Sequence, residues 1–225
     1  VTQITDHLGK IRVRVADAAA RAGRGEDDVL VLAVSKMQPA ESIREAFAAG
    51  QRHFGESYVQ EAVAKMKQLG DLPIEWHFIG TLQSNKTRPV AEHFAWVHTL
   101  DRGKLATRLN AHRSPHAPPL NVLIQVNQAG ERQKGGVGEA DVEALARMVM
   151  ALPRLALKGL MCIPPAAAEP GEFFERLRDL RTRLTTSGLP LDMLSMGMSA
   201  DFETAIAMGS NCVRIGTGIF GPRPA

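Results

Sequence analysis

Lys36, Ser199, Thr217 and Arg214 are the residues of this 225-residue chain whose types and settings could do chemistry together. Lys36 closes the apolar, β-prone run VLVLAVSK (29–36), which places an ammonium at the mouth of a buried strand. A lysine partly desolvated there, with Arg214 nearby, has its pKa pushed down and becomes a better amine nucleophile towards a carbonyl. The plainer alternative is a lysine that snorkels from a rim to water. Ser199 opens a helical stretch with Asp201 and Glu203 in its first turn, so its hydroxyl can cap while free backbone N–H groups point at an anion. Gly216 and Gly218 flank Thr217 directly after CVRIG (212–216), letting the backbone approach a bulky oxyanion while the hydroxyl donates. A bare Gly-x-Gly is a tight turn; beside a Ser-capped helix it reads as a phosphate cradle. An aldehyde carrying a phosphate would bridge Lys36 and that cradle. Arg214 can only donate, so facing a pyridine nitrogen it would hold that nitrogen unprotonated and leave the ring a poor electron sink. Its structural alternative is an interior arginine paired with a carboxylate such as Glu56.

These residues need elements to bring them together. Ile4, Leu8, Ile11, Val15, Ala18 and Ala22 recur at steps of three and four, which predicts an amphipathic helix ending near Gly23 to Gly25. Strand-like runs follow at 29–36, 52–56, 75–80, 96–100, 120–127, 155–161, 193–197 and 212–216. Between them lie helical patterns at 40–49, 57–69, 84–93, 101–112, 139–151, 171–187 and 200–208. Runs apolar on both faces, alternating with helices, are the mark of parallel strands buried on both sides. Eight such units predict a (β/α)8 TIM barrel with an extra N-terminal helix packed outside, an open doubly wound sheet being the alternative. No low-complexity linker interrupts the pattern, so residues 1–225 read as one domain. In a barrel the βα loops converge on one face, and there fall Lys36, Gly55 to Tyr58, His77 to Gly80, Gln83, Asn85, Asn127, Gly197 to Ser199 and the run RIGTGIFG (214–221).

Composition narrows the function. A net charge of +3 is spread along the chain and aromatics are only 5%, so the basic, aromatic-rich surface of a nucleic-acid binder is not expected. No apolar stretch nears the roughly 18 residues needed to span a bilayer, and Asp6, His7 and Lys10 stand where a secretory signal keeps an apolar centre. A soluble, cytoplasmic protein is expected. Cys162 and Cys212 lie within apolar runs and lack metal-type spacing, so both read as buried, reduced thiols.

LAVSK, FGES-YVQEA, EWHFIGTLQSNK, NVLIQVN, GLMCIP, GMSADFETAIAMGS and VRIGTGIFG, in this order and spacing, resemble the pyridoxal phosphate homeostasis proteins over almost the entire chain. That family is similar to the N-terminal barrel of alanine racemase standing alone. The resemblance implies that Lys36 forms the internal aldimine with pyridoxal 5'-phosphate. It also implies that Ser199, Gly216 and Thr217 hold the phosphate, with Met198 beside them, and that Arg214 faces the pyridine nitrogen. His77, Tyr58 and Asn85 match site-facing positions of the family, and Lys134 in NQAGERQKGGVG matches a loop lysine near its pocket. Three departures stand out: Ser57 replaces the asparagine of FGEN, Gln38 leaves MQP neutral after Lys36, and Gly218 replaces the alanine of a GTA-like run.

Three functions follow. The resemblance implies a carrier that buffers or delivers pyridoxal phosphate to apo enzymes without substantial turnover; the N-terminal helix, burying its one stripe within the chain, fits a monomer, with a weak dimer through another face as the alternative. A pyridoxal phosphate racemase or decarboxylase is the alternative; it needs a second acid/base opposite the lysine, and Tyr58 is the only tyrosine. A Schiff-base aldolase would require a further buried acid/base pair, for which Glu56 and His77 are the candidates.

Overall fold

Each apolar run becomes a strand because both of its faces are covered, one by the helix layer and the other by the barrel interior. The computed structural model describes residues 2–131 and 134–222. The strands are β1 (Leu30–Val34), β2 (His53–Glu56), β3 (Glu75–Phe78), β4 (Trp96–Leu100), β5 (Leu120–Gln125), β6 (Leu155–Met161), β7 (Met193–Met198) and β8 (Cys212–Ile215). They pair in sequence order and close as a barrel. The closing β1–β8 pair is parallel and sets Leu32 opposite Arg214 and Ala33 opposite Ile215. The expected TIM barrel is therefore present, and the open sheet is not.

The helices are α1 (Gln3–Arg21), α2 (Ala40–Ala48), α3 (Val59–Gln68), α4 (Thr87–His93), α5 (Gly103–His112), α6 (Val142–Met150), α7 (Pro170–Thr186), α8 (Phe202–Ala207) and α9 (Thr217–Phe220). Segments 84–93 and 139–151 each split into a 3-10 turn followed by an α-helix, at Ser84–Lys86 and Glu139–Asp141. Helix α1 buries Leu8, Ile11, Val15, Ala18 and Ala19 against α2, α8 and α9, where it acts as an outer stave beyond the eight βα units. Ala22 lies at its half-buried C-cap, and Ala19 takes the place the spacing assigned to it. Among the described residues no helix is long and apolar enough to cross a membrane.

The core between strands and helices is apolar and includes Phe54, Phe78, Phe94, Phe174 and Phe202. The inside of the barrel is different. Branched aliphatic side chains dominate most such interiors, whereas here His77, His98 and Ser195 are wholly buried with Arg214 and joined by hydrogen bonds. A buried polar group is tolerated when its partners are supplied, and this thread supplies them. Cys162 and Cys212 are buried and unpaired, as expected.

Candidate functional site

The site begins with the backbone that carries Lys36. Strand β1 ends at Val34, but the ladder runs one step further, Ser35 N–H donating to the Gly55 carbonyl at 3.0 Å. Met37 then takes a left-handed conformation with φ 61°, uncommon for a residue with a Cβ. A buried ion cluster holds this bend. The Lys65 ammonium, on α3, donates to the Ser35 carbonyl at 2.7 Å, to Glu56 Oε1 at 2.8 Å and to Glu61 at 2.5 Å. Ser35 Oγ donates to Glu56 Oε1 at 2.7 Å, and Met37 N–H donates to Glu61 Oε1 at 2.6 Å. An ammonium has three donors, and here all three are used. The residues on either side of Lys36 are thus fixed through one cation. Burial pushes the Glu56 carboxyl above its ordinary value, and the Lys65 charge opposes that rise.

Lys36 stands where two cavities meet. One, of about 440 Å³, is walled by Lys36, Ser57, Tyr58, Gly80, Gln83 and Lys86. Gly80 is required in that wall, because a Cβ added there would lie 2.1 Å from the Ser57 carbonyl oxygen. The other is a crevice of only about 20 Å³, lined by Val34, Lys36 and Gln38 from the first βα connection and by Gly216, Thr217 and Gly221 from the last. Closure of β1 on β8 therefore brings Lys36 and the turn after β8 to the rim of one crevice.

Arg214 points to the same side of the sheet as Leu32, its register partner. Its guanidinium donates to the Ser195 carbonyl at 2.7 Å, to Ser195 Oγ at 2.8 Å and to the Cys162 carbonyl at 3.0 Å. The pairing with Glu56 that the sequence left open does not occur, since Glu56 turns outward to Lys65. Burial without a carboxylate partner lowers the Arg214 pKa, yet from so high a value that the group stays charged at neutral pH. The result is a fixed cation, supported by carbonyls, in the barrel interior.

Comparison with known proteins decides what this arrangement belongs to. Residues 7–224 match the family model of the alanine racemase N-terminal domain. The chain is 51% identical over 223 residues to the pyridoxal phosphate homeostasis protein of Pseudomonas aeruginosa, covering 99% of this chain and 97% of that one. Its likeness to the Escherichia coli protein of the same name is 50% over 229 residues, covering 99% and 98%. The chain belongs to the pyridoxal phosphate homeostasis protein family. Among solved structures, PipY of Synechococcus elongatus with pyridoxal phosphate bound superposes with a TM-score of 0.87 at 38% identity, covering 97% of this chain and 100% of PipY. Alanine racemase of Corynebacterium glutamicum, at 19% identity and a TM-score of 0.70, shares the fold over 96% of this chain and 61% of its own.

The remaining residues singled out by this family's pattern take varied places. Tyr58 is 54% exposed at the N-cap of α3 and borders the larger cavity. Asn85 is exposed on the 3-10 turn after β3, between cavity-lining Gln83 and Lys86 but not itself in the wall. His77 is wholly buried below the mouth, its two nitrogens facing His53 and His98. Desolvation, with lesser contributions from those two imidazoles, holds its pKa well below the ordinary range. Met198 is 41% exposed at the end of β7, and Ser199 follows it half-buried. Ser199 is not the cap of α8: Asp201 occupies the N-cap position and its carboxylate accepts from Met198 N–H at 2.6 Å. The capping expectation fails because the chain makes a tight turn at 198–201 before the helix starts.

Gly216 is the N-cap of α9, so Thr217 opens a helical turn rather than sitting in an open loop. A Cβ at Gly218 would meet Ile215 at 3.0 Å and Ile11 at 3.2 Å. The absence of a Cβ at Gly218 therefore serves the packing of α1 on α9. Lys134 bridges two βα loops, donating to the Pro164 carbonyl at 3.0 Å and pairing with Glu131 at 2.7 Å. Arg132 and Gln133, within the same quoted loop, lie outside the described residues. Sequence reading missed Lys65, Glu61, His98 and Ser195, which support the site without lining it. The only signal for the first two is their i, i+4 spacing on α3, a pattern usually found on solvated faces.

Proposed function

We propose that this chain holds pyridoxal 5'-phosphate at Lys36 and buffers or delivers it to apo enzymes that use it, without substantial turnover of its own. The observation that carries the proposal is the place of Lys36, common to both cavities, with the Gly216–Thr217 turn across the smaller one. The residues present fit that molecule. The ε-amine attacks the aldehyde carbon, a C=N bond forms and water leaves; the turn at 216–217 with Met198 and Ser199 faces the phosphate end, and Arg214 faces the ring nitrogen. Bound pyridoxal phosphate supplies an electron sink whose strength depends on protonation of that nitrogen. Arg214 has no proton acceptor to offer and remains cationic, so it withholds that protonation and disfavours carbanion chemistry. We propose further that residues 1–225 act as one domain, as a monomer in the cytoplasm, where the two buried thiols stay reduced.

Racemisation is kept as a second reading because Tyr58 and Lys36 border one cavity, which would give an acid and a base access to one substrate. The aldolase reading loses its acid/base pair, since Glu56 is turned to Lys65 and His77 to the neighbouring histidines. The test is to add pyridoxal phosphate to purified protein and to Lys36→Ala, follow the visible absorption of the bound cofactor, and incubate both with L- and D-alanine. The proposal expects a band in the parent protein that borohydride removes, no band in Lys36→Ala, and no racemisation. A band that survives the substitution, or sustained racemisation by the parent protein, overturns it.

A further inference from the structure

At the opposite end of the barrel from Lys36, the first residues of β2 and β3 form a second constellation. His53 pairs with Glu75 in register, and His77 lies two residues beyond Glu75 on the same face. One ligand-competent atom from each of the three falls within 4.8 Å of the others. His53 Nδ1 is 3.1 Å from His77 Nε2 and 3.9 Å from Glu75 Oε2. Tetrahedral zinc, with bonds of about 2.0–2.1 Å, sets its ligand atoms roughly 3.3 Å apart. The His53–His77 separation already matches that spacing, and rotation of the part-exposed His53 and Glu75 side chains would turn their ligand atoms to a common point.

The supporting groups are those a metal site needs. Glu75 Oε1 accepts the indole N–H of Trp96, leaving Oε2 directed towards the histidines. The His77 ring stacks on Trp96 at 5.3 Å between centroids and 6° between planes. Its far nitrogen, Nδ1, is 2.9 Å from His98 Nε2, and His98 Nδ1 is 2.9 Å from Ser195 Oγ, which Arg214 anchors. Outer partners of this kind fix the tautomer and orientation of a liganding imidazole. Burial favours the neutral, lone-pair-bearing form of both His53 and His77. Solvent reaches two of the three ligands, the His53 and Glu75 side chains being 29% and 41% exposed while His77 is wholly buried behind them, and a cavity of about 680 Å³ borders His53 and Trp96.

We propose that His53 Nδ1, Glu75 Oε2 and His77 Nε2 bind one divalent transition-metal ion of the zinc type, with water in the fourth position. Two imidazoles and one carboxylate are borderline donors suited to zinc rather than to magnesium or calcium. Binding replaces the His53–His77 hydrogen bond by two metal–nitrogen bonds, and it selects the tautomer in which His77 Nδ1–H donates to His98. No net proton is released from neutral imidazoles. The site lies at the other end of the barrel from Lys36, joined to Arg214 through His98 and Ser195, and its test uses protein without the cofactor, so it is read separately from the cofactor proposal.

The experiment titrates chelator-stripped protein, without pyridoxal phosphate, with Co²⁺ and then Zn²⁺, and compares His53→Asn and Glu75→Gln. Both side chains are half-exposed, and near-ultraviolet circular dichroism confirms that each variant is folded. The proposal expects one equivalent of Co²⁺ to give the intense visible d–d bands of tetrahedral coordination. It expects Zn²⁺ to displace that ion, and each variant to bind at least about tenfold more weakly. Absence of saturable binding, octahedral-type spectra, or affinities unchanged in both folded variants overturns it.

Discussion

The Lys65 ammonium donates to the carbonyl of Ser35 at 2.7 Å, one residue before the amine that the cavities share. Lys65 is itself 6% exposed, so its charge is held by the chain rather than by water. The same cation grips Glu61, which accepts from Met37 N–H on the other side of Lys36. The backbone that carries Lys36 is therefore held by a second lysine that does not line the cavity.

Removing that cation leaves Glu56 and Glu61 uncompensated. Lys65→Met is expected to destabilise the protein by about 3–5 kcal/mol, the usual cost of breaking a buried pair by deleting one member. Urea denaturation measures it. The double variant Lys65→Met/Glu56→Gln removes the stranded charge and is expected to recover part of the loss; if the two effects simply add, the buried pair is not coupled.

Gly80 sets how closely the turn after β3 approaches Ser57. With a Cβ only 2.1 Å from a backbone oxygen, Gly80→Ala forces one loop to move. The expected cost is on the order of 1–3 kcal/mol of stability, together with weaker retention of pyridoxal phosphate on gel filtration. A variant that melts with the parent and retains cofactor equally contradicts the close packing of the two loops.

The two thiols give the alkaline limb of stability. Burial pushes Cys162 up to about 12 and Cys212 up to about 11, from an ordinary value of 9.0. Arg214 opposes the rise at both, and Asp201 adds to it at Cys162. The native chain thus keeps protons that the unfolded chain releases. Their contribution is complete below the unfolded pKa and is lost as pH rises through the native values, at roughly 1.4 kcal/mol per pH unit per thiol. The stability gap between the parent protein and Cys162→Ala/Cys212→Ala is expected to narrow from about pH 9 upward; a constant gap contradicts the thiols' part.

Much of the barrel was legible because its signals are local. Runs such as VLVLAV are short, rich in Val and apolar on both faces, the pattern of a doubly covered strand. Lys36 and the turn at 216–217 could be joined from sequence because barrel closure makes the first and last strands neighbours, and β1 does pair with β8. The features missed are long-range. Glu61 and Lys65 spell a solvated helical pair, and nothing in their spacing tells that α3 turns them inward onto Ser35. His98 reads as one residue of an apolar strand, WVHTL, until three strands meet and make it the link between His77 and Ser195. The Ser199 cap failed for the opposite reason. The helix signal was right, but Asp201, two residues later, is the better acceptor for the turn that precedes it.

The central claim is that the amine of Lys36 is the one that holds the cofactor. Borohydride reduction of protein loaded with pyridoxal phosphate, followed by proteolysis and peptide mass spectrometry, locates the attachment directly. A single pyridoxyl adduct is predicted on the peptide containing Lys36. An adduct confined to Lys86, Lys134 or another lysine, or no adduct at all, contradicts the account.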